Sequence, residues 1–228
     1  MPSILDSEST FRGDDDSRRE RCTLCGAESV FFHKDSARHY FRCQCCQLVI
    51  ADPRTLPTRD DEQSHYDLHQ NDPSDLRYRL FLSRLFEPMN ARLAAKSQGL
   101  DFGSGPGPTL SQMFAEAGHT MQIYDPFYAP DQSVLQSKYD FVTASEVVEH
   151  FHQPGHEFAR LWSLLDTGGW LGIMTKRLRD ADSFSRWHYK LDPTHVSFFS
   201  LETFRWLAEH LKAEWIVAGN DVVLFQRR

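Results

Sequence analysis

Apolar residues change their period several times along the chain, and each change marks an element. Within residues 30 to 44, VFFHK and HYFRCQ alternate apolar and polar side chains, which predicts two short strands of a hairpin. Leu82, Leu85, Phe86, Met89 and Leu93 then share one helical face, in a helix expected to begin at Asp75 behind Ser74 as cap and to kink at Pro88. GLDFGSG reads as a strand entering a turn. Leu110, Met113, Phe114 and Ala117 follow at helical spacing, with Gly118 placed to close that helix. Strands TMQIYD, YDFVTAS and WLGIMT come next, and a helix with Phe158, Leu161, Trp162 and Leu165 on one face separates the last two. Ser200 caps a helix with Phe204, Leu207, Ala208 and Leu211 inward; EWIVA, the Gly219-Asn220-Asp221 turn and VVLFQ form a terminal hairpin.

Strands interleaved with helices imply a parallel sheet, so the expected fold class is α/β, a Rossmann-like mostly parallel sheet preceded by a smaller unit. Residues 1–19 read as a disordered tail, with too little apolar surface to offset its ordering entropy; 20–52 as a cysteine unit; 53–94 as a linker and packing helix; 95–228 as the α/β domain. A chain of 228 residues has room for two folded units. Its formal charge of -7 argues against a protein built to neutralise nucleic-acid phosphates, which takes clustered Lys and Arg. No apolar run approaches the roughly 18 residues a membrane span needs, and the first residues are charged rather than leader-like, so a cytoplasmic address is expected.

The most informative stretch is DFGSGPG, residues 101 to 107. Its glycines at 103, 105 and 107 permit a tight turn and let backbone N–H groups approach a ligand closely. A dinucleotide fingerprint would carry a third glycine one place later, where Pro108 stands, and Asp101 before the loop would repel a pyrophosphate. A cationic ligand is favoured instead, and S-adenosylmethionine carries both an ammonium and a sulfonium. Asp125 closes the next strand, twenty residues beyond Gly105, where a carboxylate can accept the hydroxyls of a ribose.

Together LDFGSGPG, YDP, YDFVTASEVVEHF and LLDTGGWLGIMT resemble successive motifs of class I S-adenosylmethionine-dependent methyltransferases, over about residues 95 to 228. The resemblance implies a sheet order of 3-2-1-4-5-7-6 with the last strand antiparallel. It carries methionyl contacts onto Asp101, Gly103 and Gly105, with Phe102, Ser104 and Gly107 completing the loop. Ribose contacts fall on Asp125, and the place beside the sulfonium on Ser145, Glu146 and Val147. Only fourteen residues separate Asp125 from Asp140, too few for the usual helix, third strand and return, so that strand is expected to be vestigial around Val134 and Leu135. The acidic residue that usually serves adenine has no match; Tyr124, Pro126 and Phe127 are left to flank the ring.

All five cysteines lie between Cys22 and Cys46. Cys22-x-x-Cys25 and Cys43-x-x-Cys46 are separated by seventeen residues, a zinc-ribbon spacing, and Gly26 offers the knuckle turn. Four thiolates would hold a closed structural zinc that supplies folding energy to a small unit. Cys45 is left over, as a bystander or a substitute for Cys43, and iron is the minor metal alternative. Similar four-cysteine segments precede the methyltransferase domain in some deoxysugar C-methyltransferases and certain ribosomal RNA methyltransferases.

Substrate residues of open α/β sheets come from loops beyond the carboxyl ends of the strands. Two stretches qualify: EVVEHFHQPGH, which places His150 near the methyl group, and SRWHYKLDPTHVSFFS, which offers Trp187, His188, Tyr189, Asp192 and His195. A neutral His150 or His195 suits a proton acceptor for a hydroxyl, with Asp192 orienting His195. His150, His152 and His156 with Glu146 and Glu149 fit no standard metal spacing, and Pro154 breaks any shared helical face, so a solvated loop is expected there. The reading is methyl transfer to oxygen or nitrogen, less so carbon, of a small molecule. An RNA methyltransferase guided by the zinc unit and a non-catalytic S-adenosylmethionine- or zinc-binding interaction protein are the alternatives.

Overall fold

The computed structural model describes residues 17–68 and 72–228. The tail expected over 1–19 lies outside the described residues up to residue 16. Its last residues are not tail: Arg18 donates to Asp52 and covers the Phe41 ring at 4.7 Å, and Arg19 opens a strand.

Two sheets build the molecule. The first is antiparallel and runs β1 (Arg19–Arg21), β2 (Glu28–Lys34), β3 (His39–Cys43), β4 (Val49–Ala51). Its two central strands are the hairpin predicted from alternation, with a register shift between Phe31 and His33. The segment expected to be mostly linker then holds α1 (Arg59–Tyr66), a polar helix started by a capping box between Thr58 and Asp61. In α2 (Leu76–Asn90) the cap is Asp75, one residue later than expected: its carboxylate takes the Arg77 N–H while Ser74 bonds back to Asp72. Leu82, Leu85 and Met89 bury its apolar face as predicted.

The second sheet contains β5 (Gln98–Phe102), β6 (Thr120–Tyr124), β7 (Tyr139–Ser145), β8 (Leu165–Met174), β10 (Glu214–Ala218) and β11 (Val222–Gln226), with α3 (Thr109–Glu116), α4 (Pro154–Ser163), α5 (Ala181–Ser185) and α6 (Leu201–Leu211) between them. Its order is β10-β11-β8-β7-β5-β6; β5 through β8 are parallel and β11 runs antiparallel to β8. Where a third strand would be, residues 132–136 make a 3-10 turn that buries Val134, so β6 is the sheet edge. Leu165, expected on the helix before β8, starts the strand instead. The turn residues Thr167, Gly168 and Gly169 lie inside the strand span, and Gly168 at φ 84 makes the bend.

The two sheets are not separate bodies. A two-residue strand, β9 (Ser197–Phe198), belongs to the loop region after β8 but pairs with β4, so it is the fifth strand of the first sheet. Phe41, Cys43, Cys46, Leu48 and Ile50 share one apolar core with Phe151, Phe158, Phe199 and Phe204. Gly155, at the start of α4, donates to the Thr23 carbonyl, and a Cβ there would lie 2.6 Å from the Leu24 oxygen. The cysteine knuckle therefore abuts the helix directly.

Candidate functional site

A cavity of about 740 Å³ opens at the carboxyl ends of β5, β6, β7 and β8. Parallel strands all present their following loops on that edge, so four separate stretches converge there. Gly103, Ser104 and Gly105 come from the loop after β5, Asp125, Pro126 and Phe127 from the turn after β6, and Ser145, Glu146 and Val147 from the end of β7; Phe102 and Tyr124 also line it.

Gly103 has φ +77, and a Cβ on it would meet Val147 at 2.4 Å, so glycine is what lets the first loop lie against the third. Asp125 ties the first loop to the second: its carboxylate accepts from Gly105 N at 3.0 Å, Phe127 N at 2.8 Å and Tyr128 N at 3.0 Å. Those bonds use three of roughly four acceptor positions, which leaves about one rather than the pair that two ribose hydroxyls would need.

Asp101 and Gly107 do not line the cavity. Asp101 is buried between sheet and helix, where Thr143 Oγ1 donates at 2.8 Å and the backbone of Ser111 in the first turn of α3 also bonds it. Burial pushes its carboxyl up to about 6. Its part is to fasten β5 to β7 and α3 behind the glycine turn. Gly107 turns its carbonyl to Thr109 N at the same helix start.

The cavity wall also carries His150 and His195, with ring centroids 4.7 Å apart. The imidazole of His195 is not oriented by Asp192 as expected: Nδ1 lies 2.6 Å from the Tyr189 carbonyl, while Asp192 Oδ2 is 3.8 Å from Nε2 and pairs with His65 at 3.1 Å. Burial holds His195 below the usual histidine range. His150 Nδ1 faces the Thr194 carbonyl at 3.1 Å. The stretch after β7 is not a solvated loop. Residues 148–150 form a 3-10 turn with Glu149 fully buried; Val196 N donates to the Glu149 carbonyl and Ser197 Oγ to that of Phe151, zipping the turn to the 194–197 segment. Burial pushes the Glu149 carboxyl above the usual carboxylate range, and burial followed by the charge of Glu149 does the same to Glu146. Glu146 also sits at φ 53, in the left-handed region.

Several lining residues carry no sequence signal of their role. Glu62 and Tyr66 of α1 reach the cavity; Tyr66 packs edge-on against both Phe127 and His150, and His152 pairs with Glu62 at 2.8 Å. Their only cue is the Thr58–Asp61 capping box, since the helix shows no apolar stripe. Arg38 of the cysteine unit is buried and donates to the carbonyls of Lys190, Asp192 and Pro193, so the first sheet grips the segment leading to His195. Lys190 pairs with Asp35 at 2.9 Å beside it.

The Sγ atoms of Cys22, Cys25, Cys43 and Cys46 all lie within 4.8 Å of one another. Tetrahedral Zn–S bonds of about 2.3 Å put sulfurs roughly 3.8 Å apart; the Cys22–Cys46 and Cys25–Cys43 pairs are each at 3.4 Å, so four thiolates fit one ion. Gly26, at φ 76, shapes the first knuckle, and the N–H groups of Cys45 and Cys46 point at Cys43 Sγ in the second. Cys45 is exposed and stands outside the cluster.

Comparison with known proteins gives the family and the fold. The family model described as a methyltransferase domain matches residues 69–214, more than half of the chain, and the chain belongs to that family. Among solved structures, the chain is similar to a 1,6-didemethyltoxoflavin-N1-methyltransferase of Burkholderia thailandensis with bound 1,6-didemethyltoxoflavin and S-adenosylhomocysteine. The two share 14% identity and a TM-score of 0.51, over 86% of this chain and 97% of that one. An O-methyltransferase family protein of the same organism shares 18% identity and a TM-score of 0.49, over 73% and 62%. A possible histamine N-methyltransferase of Thermotoga maritima shares 13% identity and a TM-score of 0.43, over 67% and 95%. No curated protein matches the sequence. The chain is an S-adenosylmethionine-dependent methyltransferase with an α/β fold and a four-cysteine cluster near its N-terminus. No helix among the described residues is long and apolar enough to cross a membrane.

Proposed function

We propose that the chain transfers a methyl group from S-adenosylmethionine to an oxygen or nitrogen of a small molecule, in the cytoplasm, with His150 and His195 as the groups facing the acceptor. The observation that carries this is that one cavity is lined by the glycine turn, Asp125, Ser145 to Val147 and two neighbouring imidazoles, which in this reading mark its acceptor end. In this reading Gly103, Ser104 and Gly105 take the methionyl part and Asp125 one ribose hydroxyl, while Tyr124, Pro126 and Phe127 flank the adenine. Asp101 and Gly107 act from behind, by holding the turn. Methyl transfer is an in-line displacement, so much of its acceleration comes from aligning nucleophile and methyl. The net charge of -7 and a cavity walled by α1 support a metabolite rather than a nucleic acid.

Cys22, Cys25, Cys43 and Cys46 hold a structural zinc in this reading, whose role is to fold the sheet that carries Arg38. The function is tested by incubating the chain with methyl-tritiated S-adenosylmethionine and a cell extract. Label is expected in the low-molecular-weight fraction; label recovered only in RNA or protein overturns the small-molecule reading. Once an acceptor is identified, an unchanged rate in His195→Asn would remove that residue from the mechanism.

A further inference from the structure

Three electron-rich groups gather where His150 and His195 line the cavity. One ligand atom each of Glu149, His150 and His195 lie within 4.8 Å of one another. Glu149 is 0% exposed; Tyr189 donates to its Oε1, and its Oε2 is buried without a hydrogen-bond partner. A buried carboxylate oxygen with neither donor nor cation is unfavourable. The buried Oε1 of Glu146 is a second such atom.

Both imidazoles are already set in one tautomer. A backbone carbonyl can only accept, so the contacts of His150 with Thr194 O and of His195 with Tyr189 O place a hydrogen on Nδ1, and the neutral form of either ring then carries its lone pair on Nε2. A second ring nitrogen bonded to a carbonyl is the outer shell that fixes metal-bound histidines. Asp192 Oδ2, 3.8 Å from His195 Nε2, then faces a lone pair with another acceptor, an arrangement a cation would reconcile.

We propose that Glu149, His150 and His195 bind a divalent cation at the acceptor end of the cavity, and that the acceptor is a hydroxyl compound whose oxygen takes an open coordination position. Two imidazoles and a carboxylate suit a borderline or moderately hard ion such as Mn²⁺, Fe²⁺, Co²⁺ or Zn²⁺. At bonds of about 2.1 Å, tetrahedral ligand atoms stand roughly 3.4 Å apart, so atoms within 4.8 Å need to approach by no more than about 1.4 Å to share an ion. Three protein ligands leave positions for substrate. The sulfonium–methyl bond breaks with its electron pair going to sulfur, and an oxygen–methyl bond forms. The hydroxyl proton, made more acidic by the cation, passes to water. The acceptor class rests on the methyltransferase reading; the cation site itself does not.

The test is a titration of the full-length protein with Mn²⁺, read by loss of the free ion's paramagnetic resonance signal, beside a titration with S-adenosylhomocysteine. Mn²⁺ prefers oxygen and nitrogen to thiolate, so the cysteine cluster stays silent. One Mn²⁺ per chain is expected, with affinity at least tenfold lower in H195N and E149Q. Since Glu149 and His195 are buried, H150N at the half-buried position serves as a third variant, and retained S-adenosylhomocysteine binding shows that each variant is folded. Cofactor binding without Mn²⁺ binding, or equal Mn²⁺ affinity in H150N and wild type, overturns the proposal. Mn²⁺ binding without cofactor binding overturns the methyltransferase reading and leaves the cation site standing.

Discussion

Asp125→Asn is the substitution whose effect follows most directly from the geometry. The aspartate oxygens accept three backbone N–H groups, one from Gly105 and two from Phe127 and Tyr128, so a single side chain sets the distance between two walls of the cavity. Asparagine keeps one acceptor oxygen. If it stays on Phe127 and Tyr128, an NH₂ group meets the Gly105 N–H, and donor faces donor. A hydrogen bond to a charged acceptor contributes about 1.5 to 3 kcal/mol; with about 1.4 kcal/mol per decade, losing the Gly105 bond weakens cofactor binding about ten- to hundredfold. Equilibrium dialysis with S-adenosylhomocysteine measures it, and thermal unfolding confirms that the variant remains folded. A folded D125N that binds within twofold of wild type would refute the role given to Asp125.

Gly103→Ala puts a Cβ 2.4 Å from Val147 and forces a left-handed backbone on alanine; strain of about 1 to 2 kcal/mol plus about 1 to 3 from overpacking should lower the unfolding midpoint in calorimetry. Arg38→Ala takes the guanidinium donor from three carbonyls of residues 190–193, of which that of Lys190 still faces Tyr40 Oη and that of Asp192 still accepts from His195 N, so a loss of about 1.5 to 3 kcal/mol is expected in denaturant unfolding. Asp101, raised by burial to about 6, is penalised in its charged form: wild type is disfavoured relative to D101N as pH rises from about 4, and the penalty is complete above about 6. At about 1.4 kcal/mol per pH unit, the stability of D101N relative to wild type should grow by about 2 to 3 kcal/mol across that window; a flat difference in pH-dependent unfolding would contradict the burial argument. Metal analysis of the purified chain should find one zinc per cluster, lost in Cys46→Ser, and metal-free protein indicates that the thiols stand alone.

Much of this site is legible in the chain because its glycine-turn side is built from contiguous motifs at strand ends. The glycine turn, Asp125 and Ser145 to Val147 come together as their spacing predicts, since strand periodicity fixes which loops share an edge. Asp101 is misjudged because its partner Thr143 is forty-two residues away, on the adjacent strand, and no local pattern shows that pairing. The wall formed by α1 is missed for a different reason. RDDEQSHY has no apolar stripe, so nothing marks Glu62 and Tyr66 as facing inward. The acceptor end is the least legible part. Glu149 and His150 acquire their meaning from Thr194, His195 and Val196, which reach them through β9, a two-residue strand too short to leave a period.

The central claim is that the cavity at the ends of β5 to β8 binds S-adenosylmethionine. A calorimetric titration of the full-length protein with S-adenosylmethionine tests it most directly, with NAD as the control ligand. Saturation at one equivalent per chain, with no heat from NAD, is the expected result. Absence of binding by S-adenosylmethionine, or tighter binding of NAD, would contradict the account.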